Sequence, residues 1–163
     1  MLPTLSRGTV LRALFPFQGR PTQRGPAAHF CLFVDRCMGS RGSELIVIAY
    51  GTSQLDEQLA RIHEPGHGLF SVPSQYMKGS PMPGQVTHYL ARHLAVVPPT
   101  WIHSHFRARF NFLRPEKGQT AQQAQLLQQF ELFEDLLEIS AKYIVDYHLH
   151  TGRVGLLGNT WRP

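Results

Sequence analysis

The chain predicts a mainly β domain with one long helix near its C-terminal end, and a few observations carry that expectation. Between residues 8 and 54, three apolar runs of strand length are separated by turn residues, with no helical periodicity between them. Leu126, Leu127, Phe130, Phe133, Leu136, Leu137 and Ser140 recur at three- and four-residue spacing. The 14 Gly and 12 Pro make the chain rich in turns. Successive strands without intervening helices imply an antiparallel meander or small barrel. One domain over 1–150, with a loose tail over 151–163, accounts for the 163 residues.

The first strand lies within Gly8–Phe17, where Val10, Leu11, Ala13 and Leu14 are apolar, Arg12 is expected to face solvent and Pro16 ends the run. Residues 18–26, QGRPTQRGP, carry no large apolar side chain and read as an exposed, mobile basic loop. Ala27–Asp35 is a second strand. The third, Glu44–Gln54, is the stretch the others are arranged around. Leu45 to Ala49 are uniformly apolar, as in a strand buried on both faces, and Gly51-Thr52-Ser53-Gln54 then sets polar groups at its rim. Gly51 permits a bend or a close approach. Thr52 and Ser53 either do chemistry there or simply close the strand through side-chain to backbone bonds.

Residues 55–80 read as a helical turn or a long excursion, with GLFSVP over 68–73 as a short strand. Val86–Pro98 is strand-like at its end. Trp101–Phe112 alternates, placing Phe106, Ala108, Phe110 and Phe112 on one side and Arg107, Arg109 and Asn111 on the other. The helix spans about 120–143, with Thr120 as the candidate N-cap, and Ile144–Leu149 leaves it as a last strand.

Charged residues are 17% of the chain and the net charge is +5. Residues 1–115 hold 12 Lys and Arg against 5 Asp and Glu, whereas residues 116–146 hold 2 against 6. A basic body with pI near 9.6 suits a polyanionic partner such as nucleic acid. No run reaches 18 apolar residues, so no membrane span is expected. The first residues lack the apolar core of a signal peptide. With Cys31 and Cys37 as the only cysteines, the expectation is reduced thiols in a cytoplasm.

The order of these elements resembles the MazF/PemK family of plasmid-maintenance toxins. The residues that carry the likeness are Gly8-Thr9-Val10, then Arg24-Gly25-Pro26 before the apolar strand from His29 to Val34, then Ala49-Tyr50-Gly51-Thr52-Ser53-Gln54. The likeness covers roughly residues 7–55. It implies an SH3-like antiparallel barrel with a C-terminal helix, and a metal-independent endoribonuclease of a type II toxin–antitoxin system. It further implies a homodimer, a cognate antitoxin partner and no cofactor. Carried onto this chain, Arg24 and Thr52, with Ser53 beside it, act at the scissile phosphate; Arg20 and Gln54 beside them, and Arg107 and Arg109 outside the likeness, are expected to contact RNA. Gly25 separates the Arg and Pro that the family joins, and Arg20-Pro21 offers a second such pair. Attack by the ribose 2′-hydroxyl needs a proton acceptor, a donor to the leaving oxygen and positive charge at the phosphate. Arg provides a bidentate fork and Thr an adjustable donor and acceptor.

Other readings stay open. A catalytically weak or inactive SH3-like module would engage protein or nucleic acid through the loop over 18–26. A hydrolase would be built on His103 and His105, which either do acid–base work or form a polar strand face. No C-x-x-C or H-E-x-x-H accompanies that pair, so no metal site is expected. His29 reads as a packed histidine, and His63, His67, His88 and His93 are scattered.

Overall fold

The computed structural model describes residues 5–17, 20, 22–39, 42–54, 68–76, 84–105, 121–151 and 154–156. Its strands are β1 (Val10–Ala13), β2 (His29–Met38), β3 (Glu44–Thr52), β4 (Leu69–Pro73), β5 (Val86–Val97), β6 (Ile102–His105) and β7 (Gly155–Leu156). The helix α1 spans Ala121–Thr151. Every pairing is antiparallel, in the order β4-β5-β3-β2-β1-β6, with β7 added to β5. The protein is thus mainly β with one C-terminal helix. Among the described residues the path does not close on itself: β4 and β6 are its two ends.

Leu45 to Ala49 of the central strand are all buried, and their alternation splits the core in two. Leu45, Val47 and Ala49 face a larger cluster, while Ile46 and Ile48 face a smaller one with Leu11, Cys31 and Phe33. The β2–β3 hairpin turns through Gly42, whose φ of +75° is open to glycine at little cost. Between Ala49↔Leu94 and Tyr50↔Leu90 the β3–β5 register shifts, leaving residues 91–93 of β5 without a partner on β3.

The helix covers the larger cluster. Leu126, Phe130, Phe133 and Leu137 are buried at the spacing of one helical stripe. The rings of Phe130 and Phe133 stand 5.3 and 5.6 Å from that of Phe70 on β4. Burying each such side chain contributes about 1.5–3 kcal/mol. The expected strand over Ile144–Leu149 is not formed: the helix continues through it to Thr151, and the last strand comes after, at Gly155–Leu156. Val86–Val97 is one strand of 12 residues rather than strand-like only at its end. The expected cap Thr120, and Phe106–Phe112, lie outside the described residues.

Candidate functional site

Where β3 ends, its last residues meet the start of β2, the middle of β1 and the start of β5. A cleft of about 390 Å³ opens there, within the roughly 300–1,000 Å³ usual for small-ligand sites. Its wall includes Arg12, His29, Phe30, Tyr50, Thr52, Ser53, Gln54 and Thr87. Gly51 lies in the same wall, and its lack of a side chain leaves room beside the Tyr89 ring.

Thr52 closes β3 as a turn residue. Its Oγ1 accepts a hydrogen bond from the Gln54 backbone N–H at 3.1 Å and lies 3.3 Å from the Gln54 carbonyl. The Tyr50 side chain also bonds to Thr52. Burial raises the Tyr50 phenol above its ordinary value, and the bond to Thr52 opposes that. Tyr50 is wedged among other rings: 4.9 Å from Phe15, 5.0 Å from His93 and 5.4 Å from His29, centroid to centroid. The ring that opens the cleft is therefore fixed by packing on several sides.

Arg12 departs from the expectation that it faces solvent. It is half-buried on β1, opposite Phe30 on one side and Ser104 on the other. Its guanidinium carbon stands 5.7 Å from the Phe30 ring centroid. Its Nε is enclosed and has no hydrogen-bond partner among the described residues. A buried donor left unpaired costs about 1–3 kcal/mol. The histidines respond to the same surroundings. Burial, and then the nearby Arg12 charge, lower His29 below the ordinary imidazole range. Burial alone lowers His88, whose Nδ1 is 2.6 Å from Ser71 Oγ.

Of the residues picked out from the sequence, Thr52, Ser53 and Gln54 come together in this wall. Arg24 and Arg20 are exposed and are not part of it. The loop end that carries Arg24 is tied down at Gly25, whose N–H donates to the Leu14 carbonyl at 3.2 Å, and a Cβ there would stand 2.2 Å from the Phe15 carbonyl oxygen. His103 is exposed on β6, and His105 pairs with Leu11. Arg107 and Arg109 lie outside the described residues. Sequence reasoning missed Arg12 and His29. The signal was present: a lone Arg in an apolar strand, and a His at the first position of the strand that pairs with it.

Among the described residues, no group of three or more His, Cys, Asp or Glu is arranged to hold a metal ion, and no helix is long and apolar enough to cross a membrane. Comparisons with protein-family models, with curated proteins and with solved structures find no match to the chain.

Proposed function

We propose that the cleft beside Gly51 binds a phosphodiester of single-stranded RNA and cleaves it without a metal, in the manner of a MazF/PemK-type toxin of a type II toxin–antitoxin system. The observation that carries this reading is the polar end of β3, where Thr52, Ser53 and Gln54 line one cleft together with Arg12. Arg12 brings a positive charge to that wall, and a phosphate is the ligand of matching charge. Arg12 thereby takes the phosphate-holding role that the resemblance would give Arg24. Thr52 and Gln54 offer further donors. The basic body favours approach of a polyanion. An SH3-like arrangement, a cytoplasmic location, pairing of two copies and neutralisation by an antitoxin belong to the same reading.

One observation favours binding without cleavage. Thr52 Oγ1 is already engaged by the Gln54 backbone and by Tyr50, which suits a strand-closing role. Incubating the purified chain with long single-stranded RNA in EDTA, and mapping the ends, decides between them. Cleavage leaving a 5′-hydroxyl and a 2′,3′-cyclic or 3′-phosphate supports the nuclease. Retention of RNA on the protein with no new ends supports the binding module. Neither binding nor cleavage removes both.

A further inference from the structure

Resting on that reading and deepening it, we infer that His29 and His88, on either side of Thr52 on one face of the sheet, are the acid–base pair that cleaves the phosphodiester, with Ser71 holding His88 in position. The argument is one of register. Cys31 on β2 pairs with Tyr50 on β3, and residues two apart share a face, so His29 lies on the face of Tyr50 and Thr52. The His29 ring is 5.4 Å from that of Tyr50. On the other side Thr52 pairs with His88 of β5, and His88 pairs with Ser71 of β4. An imidazole, a hydroxyl, an imidazole and a second hydroxyl therefore cross four neighbouring strands in one row.

Neighbouring strands are about 4.8 Å apart, so the two histidines stand two strand spacings from each other, with Thr52 between. A phosphodiester bound at Thr52 has one imidazole on each side. In-line displacement at phosphorus needs that arrangement, because the attacking and leaving oxygens lie on opposite sides. Ser71 Oγ is 2.6 Å from His88 Nδ1. It occupies that nitrogen and leaves Nε2 to exchange a proton. His29 and Thr52 are among the residues that line the cleft, and His88 stands outside that lining, next to Thr52 on the face the two share. The Tyr50 ring packs on His29, and the charge of Arg12, which belongs to the opposite face with Phe30, acts on it; Ser71 and Thr52 flank His88.

The step balances without any added reactant. The ribose 2′-oxygen forms a bond to phosphorus, and its proton passes to the neutral histidine. The bond from phosphorus to the 5′-oxygen breaks, and that oxygen takes a proton from the other histidine, which enters the step as imidazolium. The products are a 2′,3′-cyclic phosphate and a 5′-hydroxyl. Proton exchange with water resets the pair.

The test is kcat/KM for a single-stranded RNA oligonucleotide in EDTA across pH 5–8, using the full chain. The wild type should give a bell with its maximum below pH 6.5, since burial lowers both histidines. His29→Gln and His88→Gln should each lose about 100- to 10,000-fold and one limb of the bell. Ser71→Ala should lose less and distort the profile, and Ser71→Thr should restore it. A substrate with sulfur in place of the leaving 5′-oxygen needs no proton donor. With it, the wild type should lose the limb of the acid, and the variant lacking the acid should recover. This arm uses the wild type, so it holds even where a variant fails to fold. A wild-type profile with no bell, or histidine variants that cleave like the wild type, overturns the pairing and leaves the nuclease reading standing. RNA left intact by the wild type overturns both.

Discussion

Gly51 stands directly against the ring of Tyr89: a Cβ added there would be 2.8 Å from Tyr89 Cε1 and 2.4 Å from the Phe30 carbonyl oxygen. Tyr89 is fully buried, so its ring has nowhere to retreat. Gly51→Ala should therefore destabilise the fold by about 1–3 kcal/mol, the usual penalty of forcing atoms into a packed site. Urea denaturation checks this. An unchanged midpoint would mean that β2 and β3 shift apart freely.

Thr52→Ala and Arg12→Lys separate chemistry from stability. Each should lower RNA cleavage by about 100- to 1000-fold, the size of losing one transition-state contact. Lys keeps the charge but not the fork, so Arg12→Lys tests geometry rather than charge. Arg24→Ala is the comparison. If Arg24→Ala abolishes cleavage and Arg12→Lys does not, the phosphate is held at the loop and not in the cleft.

The helix is held to the sheet chiefly by aromatic packing on Phe70. Phe130→Ala should cost about 3–5 kcal/mol, because a buried ring is removed from a site that closes only in part. Leu132→Ala, at an exposed position on the same helix, should change stability by less than about 0.5 kcal/mol. Paired thermal melts read the difference.

Stability should fall as pH drops below the ordinary imidazole range. His29 and His88 are lowered in the folded chain, so between their folded values and 6.5 the unfolded chain binds more protons. Their contribution is complete above pH 6.5 and is lost as acid is added through that window. Melting temperature against pH should show the decline, and the His29→Gln, His88→Gln double variant should flatten it.

The two thiols should be inert in the folded chain. Burial pushes Cys31 to about 12 and Cys37 to about 11, so almost no thiolate exists near neutral pH. A thiol-reactive dye at pH 8 should label neither until the chain is unfolded. Rapid labelling of the native protein would contradict their burial.

Much of the sheet was legible because β2 and β3 are long apolar runs whose period and flanking turns agree. The helix was legible from its stripe. Its end was not, because nothing between Tyr143 and Thr151 stops a helix and the β-like Ile144-Val145 pair suggested that something does. β5 was half hidden: His88, Arg92 and His93 interrupt its apolar pattern. In the site, the polar end of β3 announced Thr52, Ser53 and Gln54. Arg12 and His29 went unrecognised for a physical reason. Which way a single polar side chain points in a short strand depends on what pairs beside it, and that is set by residues far away in the chain.

The register shift in β5 fixes more than a bend. Between Leu94 and Leu90 the strand advances four residues while β3 advances one, from Ala49 to Tyr50. The surplus is odd, so the parity of the strand reverses there: Ala95 shares a face with Ile48, whereas His88, of the opposite parity, shares one with Thr52. Deleting one residue from 91–93 would leave an even surplus, and plain alternation from Leu94 would then carry His88 to the face of Thr52 with no break in the strand. Deleting two would leave an odd surplus, and the row across the sheet would still require the break. Whether the row needs an irregular strand thus depends on the length of β5 modulo two, a constraint that acts on insertions and deletions rather than on side-chain chemistry.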